Sequence, residues 1–133
     1  MSRELKKTDQ NKIILFDKLS GTRLELYYRT VTAEDRIKYK SAILENLTKS
    51  RDIEETINLQ LVWSEKIITG FKKGDFTLEG KPISSNSEDS DYYQGWFGVL
   101  KDTATDILLS VVETLLGETN FVVRENPLPF EKS

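Results

Sequence analysis

The chain has 133 residues, a formal net charge of −3, 38% hydrophobic and 31% charged residues, and neither cysteine nor histidine. Without cysteine there are no disulfides or thiolate zinc sites, and without histidine there is no Ser-His-Asp or Cys-His device and no imidazole metal ligand. The acidic balance argues against a duplex nucleic-acid binder, which carries a basic face, and the length suits one domain with one core.

Residues 1–11 are polar and read as a solvated tail; they lack the apolar run of a signal peptide. From Lys12, KIILFD and TRLELYYR are strand-like runs on either side of KLSG, whose Ser20-Gly21 pair signals a turn. Leu24, Leu26 and Tyr28 alternate with Arg23, Glu25 and Tyr27, as a half-buried antiparallel strand requires. Thr32 and Asp35 resemble a capping box that opens a helix, with Ala33, Ile37, Leu44 and Leu47 as its apolar face. Asn46-Leu47-Thr48 spells a glycosylation sequon, to which the absence of a signal peptide gives no weight.

After the break at 46–52, the stretch 53–71 organises the chain. On a helical wheel Ile53, Ile57, Leu61, Trp63, Ile67, Ile68 and Phe71 share one broad arc, opposite Glu54, Asn58, Glu65, Lys66 and Thr69. An arc that wide predicts a helix with partners on two sides, interrupted only by Gln60 and Ser64 and stopped by Gly70. Phe76 and Leu78, then Glu79-Gly80, then Lys81-Pro82-Ile83 predict a small hairpin. Ser84–Asp91 reads as a mobile acidic connector that lacks the glycine and distal glutamate of a calcium-binding loop.

Asp91 and Gln94 resemble a second capping box, opening one long helix from about Tyr92 to Leu116. Its main face is Trp96, Leu100, Ala104, Ile107, Leu108, Val111 and Leu115, and Gly117 is the expected cap. Its most apolar part, Ile107–Leu116, is about half the length of a membrane span. Leu109, Val112 and Leu116 form a second stripe about 100° away. Two explanations are open for that stripe: a helix buried on two sides, or a contact surface for a partner or a second copy. NFVVR (120–124) is a possible last strand on the hairpin's edge, and 125–133 is a tail.

The expected fold is therefore α+β, an N-terminal β-hairpin packed with three helices and one or two short further strands, with a core over about 12–124. No glycine-rich phosphate loop is present. Glu65 and Asp75 are the best-placed carboxylates but belong to no catalytic signature, and Lys66 reads as a snorkelling side chain at a helix rim. Tyr27, Tyr92, Tyr93 and Trp96 lack the basic interleaving of a single-strand binder. The expectation is a non-enzymatic protein with no cofactor, no metal, no nucleic acid and no membrane.

The succession LELYYRTVTAEDRIKY, IITGFKKGDFTLEGKPIS and DYYQGWFGVLKDTATDILLSVVETLL resembles small proteins encoded in phage and prophage tail-gene clusters, often described as tail-assembly chaperones. The resemblance covers residues 20–116 as an order of features and carries no catalytic or binding motif. It implies a chaperone or scaffold that binds the tape-measure or another tail protein in the bacterial cytoplasm, or a minor structural component of the tail. The alternative is a small regulatory or ligand-binding module of a bacterial cell.

Overall fold

The computed structural model describes residues 5–49 and 52–117. It has the α+β architecture expected: a three-stranded antiparallel sheet, a two-stranded ribbon and four helices. The sheet begins with β1 (Asn11–Asp17) and β2 (Thr22–Tyr28), in the register Asn11↔Tyr28 through Asp17↔Thr22. Their turn is held by the Asp17 side chain, which accepts bonds from the Leu19 and Ser20 amides and, at 2.7 Å, from Ser20 Oγ. Leu24 and Leu26 point into the core, as the alternation requires.

Part of the expected N-terminal tail is tied down. Thr8 exchanges backbone and hydroxyl bonds with Thr30, and the Asp9 carbonyl accepts from Thr69 Oγ1 at 2.7 Å.

Helix α1 (Ala33–Lys49) starts on the predicted capping box: Asp35 N–H donates to Thr32 Oγ1 at 3.2 Å and Thr32 N–H to Asp35 Oδ2 at 2.9 Å. Its buried face is not the predicted one. Tyr39, Ile43 and Asn46 turn inward, whereas Ala33, Ile37, Leu44 and Leu47 are exposed. Apolar residues occupy two faces of this helix, and its neighbours select the face that carries the large Tyr39 ring. Asn46 donates to Thr56 Oγ1 and the Asp52 carbonyl, so the sequon asparagine is buried.

Helix α2 (Ile53–Ile67) is capped by Asp52, whose carboxylate accepts from Glu54 N–H at 3.0 Å. Leu61, Trp63 and Ile67 are buried as predicted, while Ile53 at the first turn is exposed. Ser64 Oγ bonds back to the Leu61 carbonyl, and Gln60 reaches the Tyr39 hydroxyl across the helix pair.

The helix does not continue to Phe71. At Ile68 the backbone turns extended, and Ile68–Phe71 becomes β3, paired with β2 through Leu26↔Phe71, Tyr27↔Gly70 and, past a bulge, Tyr28↔Ile68. Two consecutive β-branched residues, Ile68 and Thr69, suit a strand, and β2 offers an open edge. Gly70 is therefore not a helix stop. A Cβ there would lie 2.7 Å from Ser85 Oγ, and the same hydroxyl receives the Phe71 amide at 3.0 Å.

The predicted small hairpin is present as β4 (Thr77–Leu78) and β5 (Lys81–Pro82). Glu79 and Gly80 both adopt positive φ (53° and 79°), the signature of the mirror-image turn that matches strand twist.

The long C-terminal helix is broken. Tyr92 and Tyr93 pair with Ser84, and Ser84 N–H donates to the Asp91 carbonyl, so the Asp91-Gln94 capping box does not form. Helix α3 (Trp96–Thr103) starts at Gly95, and α4 (Thr105–Val112) follows a break at Ala104. Thr103 and Thr105 hydroxyls bond to the Val99 and Lys101 carbonyls, satisfying acceptors that a break would orphan. After α4 one π-helical turn, Glu113–Gly117, ends the described chain. The possible strand 120–124 lies outside the described residues.

One polar hub ties sheet to helices. Arg29 donates to the Lys66 carbonyl at 2.9 Å, to the Thr30 carbonyl and to both oxygens of Asp35, the shorter at 2.7 Å. The guanidinium and the Thr32 capping bonds hold the Asp35 carboxyl well below the usual carboxylate range. A carboxylate depressed by folding stabilises the protein above its unfolded pKa of about 4, and this contribution is lost as pH falls toward the depressed value. Asp35→Asn should thus cost about 1–3 kcal/mol at neutral pH. Its deficit against the parent should shrink as chemical denaturation is repeated below about pH 4.

Candidate interaction surface

The stripe Leu109, Val112 and Leu116 is not a free surface. Val112 and Leu116 are 0% exposed, and Leu109 is half-buried against the same core. The physical reason is that α4 lies between α2 and the sheet, and its π-helical continuation packs on α1. Both apolar faces are thus used inside the fold, which is the first of the two explanations open for the stripe.

The candidate catalytic groups are also dispersed. Asp75 accepts the Glu25 amide at 2.8 Å and serves the backbone, and Glu65 is exposed on α2. Lys66 Nζ lies 4.3 Å from the centroid of the Trp63 ring, a cation–π contact at the helix rim. Trp96 sits in a cluster with Phe71 and Phe97, each 5.7 Å away between centroids, while Phe71 meets Phe76 at 4.9 Å. Every one of these contacts is edge-on, the arrangement that opposes ring edge to ring face. Trp96 is therefore part of the packing rather than a stacking platform.

Ser84–Asp91 is stitched rather than loose. Ser84 Oγ donates to Asp89 Oδ2 at 2.6 Å and accepts the Asn86 amide, while Asn86 Oδ1 accepts the Glu88 amide. The Asp91 carboxylate faces Lys73 at 3.9 Å. Among the described residues no group of three carboxylates is placed to hold a metal ion. Calcium at 100 times the dissociation constant of a specific site would add about 2.7 kcal/mol; we expect the melting temperature to stay unchanged.

Large exposed apolar side chains concentrate elsewhere. On β1, Ile14 and Phe16 point away from the core and are 59% and 65% exposed, and Leu19 at the turn is almost fully exposed. Among the described residues β1 pairs only with β2, so it is an edge strand with a row of backbone N–H and C=O groups facing outward. Its inward Leu15, together with Phe16, Lys18 and Leu19, lines a cleft of about 770 Å³ whose other wall is Asp106, Ile107 and Ser110 of α4. An edge of this kind is a template for another extended segment.

Comparison with known families, curated proteins and solved structures found no match. The reading of this surface thus rests on its own chemistry.

Sequence reasoning singled out neither Ile14 nor Phe16, for a definable reason. KIILFD is a nearly continuous apolar run, the pattern of a strand buried on both faces, yet among the described residues one face and one edge of β1 are open. The cue lay in β2: across from Ile14 and Phe16 stand Glu25 and Arg23, polar partners that mark the outward face.

Among the described residues no helix is long and apolar enough to cross a membrane.

Proposed function

We propose that this protein works by protein–protein contact without catalysis, as a chaperone or scaffold of phage or prophage tail assembly, or as a minor tail component. The observation that carries the reading is the β1 edge, which pairs with no further strand among the described residues and where exposed Ile14 and Phe16 stand beside a largely apolar cleft. Native proteins usually blunt such edges with charge, proline or a covering element. Leaving one apolar suits a surface that receives an extended segment of a partner, with the backbone supplying affinity and the cleft selecting side chains. The order of features over residues 20–116 supplies the class of partner: the tape-measure or another tail protein.

Co-expression with phage tail proteins, tape-measure proteins among them, tests the reading. A complex of defined stoichiometry that survives size-exclusion chromatography is expected with one of them. Failure to form a complex with any would overturn the assignment.

A further inference from the structure

The register of the sheet fixes which backbone groups of β1 face outward. In an antiparallel strand the N–H and C=O of one residue point to the same side, and successive residues alternate sides. The Glu25 carbonyl accepts from Lys72 N–H and Arg29 N–H donates to the Ile67 carbonyl, both at 2.9 Å. Glu25, Tyr27 and Arg29 therefore face β3, which leaves Leu24, Leu26 and Tyr28 to face β1. Through the register these meet Leu15, Ile13 and Asn11. The outer edge of β1 is thus formed by Lys12, Ile14 and Phe16, which pair with no strand among the described residues. The same three residues carry the side chains on the exposed face of β1.

A strand added at this edge meets apolar side chains on both faces. Ile14 and Phe16 stand on the outer face, and Leu15 with the Ile107 wall of the cleft on the helix side. The added strand must itself be apolar on both faces, as β1 is and the alternating β2 is not. We propose that the occupant is a second copy of this chain, its β1 antiparallel to the first about a two-fold axis at Ile14. A two-fold interface presents one patch twice, so the strand must complement itself. With Ile14 opposite Ile14, Ile13 lies across from Leu15, Lys12 from Phe16 and Asn11 from Asp17. The outward backbone groups of Lys12, Ile14 and Phe16 are all used. The Lys12 ammonium comes to an aromatic ring, and the Asn11 amide to a carboxylate. Sliding the pairing by two residues one way sets Lys12 against Lys18 and Ile13 against Asp17. Sliding it the other way leaves Phe16 opposite Gln10, which precedes the strand. An edge contact about 23 Å long and one sheet, roughly 10 Å, thick covers well under the ~800 Å² per partner of a standard interface. The dimer is therefore weak, and the chain is monomeric at low micromolar concentration. The inference goes beyond the tail-assembly reading and does not depend on it. A partner's extended segment needs the same backbone groups, so partner and second copy exclude one another.

Because the chain has no cysteine, single thiols report this register in the full-length protein with no other protein present. Ile14→Cys, Lys12→Cys and Phe16→Cys are each treated with a short bis-maleimide at high micromolar concentration. Position 14 faces itself across the axis at about 5.5 Å between Cα atoms, whereas positions 12 and 16 lie about 14 Å from their counterparts. We expect Ile14→Cys to form a covalent dimer about tenfold faster than the other two, because the reagent spans only the shorter gap. Sedimentation equilibrium of the parent should show a mass that rises from one chain toward two with concentration, while Ile14→Lys stays at one chain. Equal cross-linking at the three positions would overturn the proposal. So would a parent that is monomeric throughout, the result expected if another segment of the same chain covers the edge. A dimer that Ile14→Lys leaves intact would place the second copy on a different surface and overturn it as well. If Ile14→Lys does not fold, the three cysteine variants still decide.

Discussion

Val112→Glu is expected to unfold the protein rather than to leave a folded chain that has lost a contact. Val112 is fully buried, between neighbours Val111 and Leu116 that are equally inaccessible. A carboxylate there would stand among the buried apolar side chains of the core. It must be buried charged, be buried protonated without a partner, or be released by opening the helix. Each route costs several kcal/mol, and losses above 4–5 kcal/mol come from mechanisms of this kind. Against a typical total of about 5–15 kcal/mol for a folded protein, most of the native population is lost. Far-UV circular dichroism and a thermal melt check it: a weak spectrum without a cooperative transition is expected. A native-like melt would place Val112 at the surface.

Trp63→Ala should produce the next largest loss, about 3–5 kcal/mol, through lost burial and the cavity left behind. The indole is 6% exposed and meets the Tyr39 ring edge-on at 6.1 Å, linking α2 to α1. It also carries the Lys66 ammonium over its outer face. Trp96→Ala should cost less, because Trp96 is only half-buried at the start of α3. Urea titrations of the two variants, read by the remaining tryptophan, give the ranking; a smaller loss for Trp63→Ala would contradict the packing described.

Local signals were legible where one physical requirement acted alone. The β1–β2 hairpin follows from alternation and the Ser20-Gly21 turn signal, the Thr32–Asp35 box from reciprocal capping, and the Glu79-Gly80 ribbon from its turn residues. What failed were choices made by tertiary neighbours. Ile67, Ile68 and Phe71 fit a helical arc equally well whether or not the helix continues, and only the vacant edge of β2 decides that Ile68–Phe71 is a strand. Similarly, α1 offers two apolar faces, and the sequence alone does not say which one α2 and the last turn will cover. Asp91 and Gln94 had a capping pattern, but the pairing of Tyr92 and Tyr93 with Ser84 took the backbone first.

The candidate surface was hidden for the same reason. Leu109, Val112 and Leu116 drew attention as an apolar stripe in excess of one face, and α4 uses both faces inside the fold. Ile14 and Phe16 stand in a nearly continuous apolar run that does not mark which face is buried, and they are the ones left outside.

The most direct measurement of the central claim is the paired stability and partner affinity of Ile14→Lys with Phe16→Lys. Both side chains face outward on an edge strand, so the double variant should melt close to the parent, within the small range of surface changes, about 0.5 kcal/mol each. Capture of a tail protein, the partner class proposed above, should be lost in the same preparation. An unfolded variant would contradict the outward placement of β1, and a folded variant that binds its partner with unchanged affinity would contradict the β1 edge as the working surface.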